Sequence, residues 1–586
     1  MRPTRRLPLL PALSLASTLA FGPALAASPL EPQVQPRRWP SAESQLRTAG
    51  APEGSPLAKL ILENQDFARL RPEEAADNLP IPPWLRVLWR RSHPLGALSA
   101  GDPSGGYPWV LPEVYEWMRT HPDLRPPEGG GLDAIPEKAA ASAPQPASGP
   151  LAAEVEELEE KVSIGPDTNL SGASRSGRAE SDLRINFWNP SQVVAAANDL
   201  TDTGTQAQFY SSDGGETWQQ NSLPRVLGDT LHSDPTVDWT SDGTAWSTTI
   251  GVQFDARNDF ILALRSYRSS DGGATWTFDE TISGDQNEPD KQMMWVDHSP
   301  ASPYRDNLYV CYHNSLFPYV VRRVAATGHW DPPVVLDGDP GHATGLGCDV
   351  KSNGAGAVYV FWPSTDTQRL YQAKSTDGGA TWSAPRAILK TFASAFLLPP
   401  SMARRGILLY AASAAFKAGK KDLAYLAWTD LSGAAGCKTP LDAFRINAAS
   451  NCKTRIWFAR STNGGKTWGR AIKLNDRKDK TDQFHPWIAV DETSGALALI
   501  YYDTAGDPNR HAANVWVQTS TDSGAHWTTA RQVSSAPTDE TTEGASGFQF
   551  GDYNALSGIA GRFLPSWTDR RGGARDQIWT APITIP

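Results

Sequence analysis

The sequence predicts an all-β fold, a β-propeller of seven blades with six as the alternative, preceded by a small, partly helical N-terminal segment. Three observations lead there. An octet of the form S-x-D-x-G-x-T-W recurs along the second two-thirds of the chain. Its copies are spaced by the length of a four-stranded unit. The composition, with 22 Trp and only 5 Met among 586 residues, suits β-structure packed with aromatics.

The chain begins with a basic start at Arg2, Arg5 and Arg6, an apolar run over 7–25, and a small-x-small site at Ala24-Leu25-Ala26. This is the pattern of a cleaved export signal over 1–26, which places the mature protein outside the cytoplasm, secreted or periplasmic. No later stretch is apolar enough to span a bilayer. Residues 27–125 form a segment whose runs LAKLILENQDFARL and VLPEVYEWMRTHPDL carry apolar residues at helical spacing. Residues 126–162 are rich in Pro, Ala and Gly, a linker composition that ends in the acidic run LAAEVEELEEKV.

From 163 to 586 the chain repeats itself. Octets end at Trp218, Trp276, Trp382, Trp468 and Trp527; the fourth has Asn463 in place of Asp and the fifth has His526 in place of Thr. An Asp or Asn side chain accepts bonds from the backbone ahead of it, and the glycines supply positive φ, so each octet closes a tight hairpin turn. It is a structural staple. Asp213 to Asp271 spans 58 residues and Asn463 to Asp522 spans 59, but Asp271 to Asp377 spans 106, so one unit has lost its octet. The run VVRRVAATGHWDPPVVL, with His329-Trp330, falls where that turn belongs. The 86-residue unit from Asp377 to Asn463 carries an insertion between Cys437 and Cys452. Three strands follow the last octet, and a strand around 161–169 is expected to complete that blade and close the ring.

Export permits disulfides, and four cysteines allow three pairings. Cys437–Cys452 across the insertion, with Cys311–Cys348 joining adjacent units, is the favoured set; four thiols are the alternative. Neither the cysteines nor the histidines have zinc-site spacing. A net charge of −10 argues against nucleic-acid binding, which needs a basic footprint. Sugars, proteins and cations remain open.

In a blade running A to D outward, the octets sit at C–D turns, on the face opposite the usual ligand mouth. The informative positions are strand-A entries and strand-B exits. These carry His232, Asp234, Glu288, Asp290, Lys291, Asp349, His485, Asp552 and Tyr553, then Asp199, Asp366, Asp430, Asp503 and Asp569-Arg570-Arg571; Arg257, Arg510 and Glu543 lie in nearby loops. Such a rim suits a polar ligand or a cation, although Asp at repeated positions commonly serves turn backbones.

The octets are Asp boxes, and with stretches such as NPSQVVAAAND, DKQMMWVD, FHPWIAVD, FGDYNAL and SWTDRRGG they make 163–586 resemble the sialidase superfamily of BNR-repeat proteins. That resemblance implies a clamp of three arginines on a substrate carboxylate, a Tyr nucleophile with a Glu base, and an Asp acid/base. On this chain it points to Arg184, Arg510 and Arg570 for the clamp and to Tyr502 or Tyr553 as nucleophile. Glu543 would be the base and Asp234 or Asp290 the acid, with Asp503, Asp552 and His485 as further ligand contacts. The chain has Leu183-Arg184-Ile185-Asn186 where the family has Phe/Tyr-Arg-Ile-Pro. The expected partner is a glycan, with a protein partner as the alternative; no cofactor is required, and Ca²⁺ is compatible with the Asp-rich loops.

Overall fold

The computed structural model describes 56–65, a few residues just before them, and 161–585 apart from short stretches such as 255–259, 338–346, 543–547 and 572–574. The proposed signal, most of 27–125, the linker to 160, and Arg257, Asp366 and Glu543 lie outside the described residues. Within the first helical run, Pro56–Glu63 is an α-helix. Its Ile61 is fully buried in the largest apolar core, beside residues of the propeller.

Among the described residues, seven antiparallel blade sheets of four to six strands follow one another, with one two-stranded hairpin between two of them. Blade 1 covers Arg178–Ser222, blade 2 Leu231–Thr281, blade 3 Pro289–Val335, and blade 4 Arg386–Lys390 together with the three strands from Asp349. Blade 5 covers Ala411–Lys473 and blade 6 Gln483–Gln532. The innermost strand of each blade packs on that of the next, and the first blade's packs on the last's, so the ring closes. Blade 7 is completed from the other end of the sequence: Ser163–Ile164 pairs with Ile583–Thr584, and Thr168–Asn169 with Gln577–Thr580. The strand expected around 161–169 therefore closes the ring, and no blade edge is left open there.

The Asp boxes are C–D turns. In the first, Ser211 Oγ bonds Asp213 Oδ1 at 2.7 Å, Gly215 N donates to Ser211 Oγ at 2.7 Å, and Thr217 N donates to Asp213 Oδ1 at 2.9 Å. Trp218 Nε1 then caps the turn on Gly215 O at 3.1 Å. Where the octet departs from the pattern the geometry is kept. Asn463 Nδ2 donates to Thr467 Oγ1 at 2.7 Å, and His526 Nδ1 replaces the Thr hydroxyl at 2.6 Å from Asp522 Oδ2. In blade 3 the lost box is a plain turn in which Gly328 N donates to Val324 O, joining Phe317–Val324 to His329–Trp330. Gly214 N donates to Ser191 O in the A–B turn, which confirms that boxes and A–B turns share one face.

Both expected disulfides are present, Cys311–Cys348 between blades 3 and 4 and Cys437–Cys452 across the insertion. The long unit also holds a second insertion. A hairpin of Phe396–Leu397 and Ile407–Leu408, with a tight turn at Pro400–Met402, lies between blades 4 and 5. Leu397, Met402, Ile407 and Leu408 are buried, so this hairpin is packed down as a plug.

Candidate functional site

Four blades begin strand A with the same device. Glu180, Asp234, Lys291 and His485 have φ of 55°, 53°, 55° and 48°, each beside a break in strand register. Left-handed backbone costs a non-glycine residue of order 1 kcal/mol. Such bulges re-aim side chains, and here they gather them into one cluster. Gly551 (φ 74°) serves blade 7; a Cβ there would collide with the Glu180 side chain.

At the centre is Lys291. Its Nζ contacts Asp552 Oδ2 and lies 3.7 Å from Asp234 Oδ2 and 3.8 Å from Glu180 Oε1. Asp290 Oδ1 accepts from Lys291 N at 2.8 Å, and its Oδ2 sits 3.9 Å from His313 Nε2. Asp552 N donates to Glu180 Oε1 at 3.0 Å, and Asn198 joins Glu180 to the backbone of Asp234. Over the cluster, Arg405 from the interblade hairpin places Nη2 at 2.8 Å from Glu180 Oε1 and 2.6 Å from Asp552 Oδ2. Gln549 fixes the hairpin by accepting from Arg405 N at 2.9 Å.

The cluster is sealed, with Glu180, Asp234, Asp290, Lys291, His485, Asp552 and Tyr553 each at most 6 % exposed. Its protonation states diverge accordingly. Burial, reinforced by the Asp234 charge, pushes Asp290 well above the usual carboxylate range, which favours its protonated form. Burial opposes ionisation of Asp234, yet Lys291 holds that carboxyl below its ordinary value. Burial pushes Glu180 up to about 7 against the pull of Lys291 and Arg405. Asp552 is held low by Arg405 and Lys291 despite its burial. Burial and the cluster carboxylates push the Tyr553 phenol well up, and burial drops His485 to about 4. Among the buried polar atoms here, Tyr553 OH and both ring nitrogens of His485 make no hydrogen bond, and Asp234 Oδ2 and His313 Nε2 have only their longer ionic contacts. Buried polar atoms left without a hydrogen bond are unusual in a folded protein, and their gathering here marks the cluster as a candidate site.

Of the residues singled out in the sequence, the structure brings together Asp234, Asp290, Lys291, Asp552, Tyr553 and His485. It does not bring together the three arginines. Arg184 bonds Asp182 and the carbonyl of Leu183 at the far end of blade 1's inner strand. Arg510 pairs with Asp482 and ties down the carbonyls of Asn447 and Cys452, which anchors the disulfide-closed insertion. Arg570 bonds Thr542, and its backbone N bonds Thr538 Oγ1. Tyr502 donates to Thr568 O at 2.7 Å, and Asp503 accepts from Gln483 and Ala505 N at a strand end. Asp430 likewise accepts from the backbone of Phe392 and Ala393.

Glu180 and Arg405 were not among the sequence candidates. Among the described residues, no group of three or more His, Cys, Asp or Glu side chains is arranged to hold a metal ion. In the cluster, Lys291 and Arg405 occupy the place a cation would take.

Comparison with known proteins places the first Asp box, residues 209–220, within the BNR/Asp-box repeat family model. A xyloglucanase from Paenibacillus sp. is 29% identical over 200 residues, covering 30% of this chain; the match spans only 18% of the xyloglucanase. Among solved structures, the BP39L lectin from Burkholderia pseudomallei aligns at TM-score 0.41 and 14% identity, over 70% of this chain and 100% of that one. The Hadza microbial sialidase Hz136 aligns at 0.36 and 14%, over 63% and 68% of the two chains. A protein of unknown function from Dyadobacter fermentans aligns at 0.39 and 15%, over 73% and 100%. Among the described residues, no helix is long and apolar enough to cross a membrane. The two disulfides are consistent with an extracellular or periplasmic protein.

Proposed function

On this sialidase-like propeller of BNR/Asp-box repeats, we propose that the protein is secreted and acts on glycans through the sealed cluster beneath Arg405. The observation that carries this reading is a buried carboxyl pair pushed in opposite directions, Asp290 up by burial and Asp234 down by Lys291, beside the Tyr553 phenol, whose OH makes no hydrogen bond. Groups pushed apart in pKa are how one site holds both an acid and a base at neutral pH. In this scheme Asp290 donates the proton to the leaving oxygen. Tyr553 attacks the anomeric carbon as the bond to the leaving oxygen breaks, with Glu180, poised near 7, taking the phenol proton. Water then displaces the tyrosyl oxygen, giving its proton to the Asp290 carboxylate while Glu180 returns its proton to the phenol. Displacement of the Arg405 guanidinium admits the sugar.

The charge of the cluster favours a neutral glycan over a sialoside. Four carboxylates face two cations, and both cations are already paired with Asp552 and Glu180. An incoming substrate carboxylate would find no free arginine. The local similarity to a xyloglucanase supports the same direction.

The test is to incubate the purified chain with fluorogenic neutral glycosides and a fluorogenic sialoside, and to probe a glycan array. Turnover or binding of neutral glycans, lost in Asp290→Asn, is expected. Neither cleavage nor binding of any glycan overturns the proposal. That result would favour a second reading, a non-catalytic scaffold for a protein partner, for which the packed hairpin over the cluster is the supporting observation.

A further inference from the structure

His313 is a buried group of the cluster that the proposed reaction leaves unused. The strands Pro289–Val296 and Leu308–Asn314 are the first two of blade 3, and their register sets His313 opposite Asp290. Residues directly opposed in an antiparallel pair have neighbouring side chains. His313 is 1 % exposed, and its Nε2 lies 3.9 Å from Asp290 Oδ2. The other carboxyl oxygen, Oδ1, is taken by Lys291 N.

The fold fixes which ring nitrogen carries the proton. Gly347 N donates to His313 Nδ1 at 3.5 Å, so Nδ1 is the acceptor and the neutral ring carries its hydrogen on Nε2. Gly347 is itself held. Its neighbour Cys348 is bridged to Cys311, two residues before His313 on the same strand. Tyr410 OH donates to Cys348 O at 2.8 Å, and Gly347 has φ 77° where a Cβ would strike the Tyr410 ring. Burial, with Lys291 nearby, drops His313 to about 3, which favours the neutral ring.

Nε2–H is thus a buried donor that makes no hydrogen bond and faces a carboxyl oxygen. Such a donor calls for an explanation. Asp290 supplies one, because the carboxylate left when its proton goes to the leaving oxygen is a far stronger acceptor than the acid. Hydrogen bonds that serve catalysis are commonly long before substrate binds and tighten as charge develops. The charged groups otherwise facing Asp290 are Asp234 from blade 2, which opposes its ionisation, and Lys291, whose ammonium is shared among Asp552, Asp234 and Glu180. Given the acid role proposed for Asp290, on which this rests, we infer that His313 is a positioning residue, its Nε2–H closing onto Oδ2 when the carboxyl gives up its proton. His313 touches no substrate. It makes Asp290 a stronger acid and keeps the carboxylate oriented for the proton of water in the second step.

The test follows the Asp290 carboxyl against pH by its carbon-13 resonance in aspartate-labelled full chain, assigned with Asp290→Asn. His313→Phe, which has no donor, should raise the titration midpoint by about one pH unit, and His313→Gln, whose amide restores a donor, should reverse at least half of that rise. With the preferred neutral glycan, His313→Phe should lower kcat about tenfold, leave KM unchanged and move the alkaline limb of kcat/KM to higher pH. Because a variant at a buried site can fail to fold, the ring nitrogens of His313 are read in the unmodified protein as well. An Nε2–H tautomer is expected there, its proton resonance shifting as Asp290 ionises. An Nδ1–H tautomer, an unmoved midpoint in folded His313→Phe, a His313→Gln midpoint equal to that of His313→Phe, or a change confined to KM would each overturn the inference. The titrations need no substrate: absence of any glycan turnover would overturn the reaction proposed above, whereas the midpoints and the tautomer decide the coupling of His313 to Asp290.

Discussion

Arg405 Nη2 lies 2.8 Å from Glu180 Oε1, although 225 residues separate them in the chain. The same guanidinium holds Asp552, so one side chain from an interblade hairpin neutralises carboxylates of blades 7 and 1. Removing one partner from a buried ion pair leaves uncompensated charge, at a cost of about 3–5 kcal/mol. Arg405→Ala should lose stability on that scale in chemical denaturation. A loss under about 1 kcal/mol would mean that the pairing is not made in solution.

The two candidate tyrosines should separate cleanly. Tyr502 OH is committed to Thr568 O, so Tyr502→Phe should cost about 1–2 kcal/mol of stability and leave turnover intact. Tyr553 OH has no partner, so Tyr553→Phe should change stability by less than about 0.5 kcal/mol while abolishing turnover of any glycan substrate. Equal turnover in both variants would remove Tyr553 from the proposed chemistry.

His485 gives a pH signature. Its folded-state value, about 4, is below the ordinary 6.5, chiefly because burial disfavours the charged ring. The unfolded chain therefore binds the extra proton first. The stability held by the neutral ring is complete above pH 6.5 and is lost as pH falls towards 4. A shift of that size amounts to on the order of 3 kcal/mol. His485→Gln should accordingly lose less stability than the parent between pH 6.5 and 4, measured as the difference between the two denaturation series. Parallel series would contradict the assignment.

The disulfides should contribute unequally. Cys311–Cys348 closes 37 residues and Cys437–Cys452 closes 15. By chain entropy their removal as Cys→Ser pairs should cost about 4 and about 3 kcal/mol respectively. Arg510 reinforces the shorter loop through the carbonyls of Asn447 and Cys452, so Arg510→Ala should add to the loss at the second bridge.

Periodic features were legible in the sequence because each is local. An Asp box needs only eight neighbouring residues, and its spacing counts the blades, locates the lost turn near His329-Trp330 and predicts the strand that closes the ring. Strand-A entries were legible for the same reason, which is why Asp234, Asp290, His485, Asp552 and Tyr553 converge. Arg405 was not, since it lies in an insertion and its partners are 147 and 225 residues away. Glu180 stands near the start of the first inner strand as Asp234 stands near the start of the second, each at a break in register, which is the signal that marks it. The arginine clamp came from the family pattern rather than from this chain's spacing. Here Arg510 holds Asp482 and the disulfide-closed insertion of blade 5, and Arg570 holds Thr542, so each is already engaged away from the cluster.

The proposed function rests on the cluster beneath Arg405. The most direct measurement compares Asp290→Asn with Asp503→Asn for cleavage or binding of the neutral glycan that the parent protein prefers. Both are buried carboxylates at strand ends, but only Asp290 belongs to the cluster. The account predicts that Asp290→Asn loses the activity at least a hundredfold, the scale of removing a general acid, while Asp503→Asn keeps it. Full activity in Asp290→Asn together with loss in Asp503→Asn would contradict it.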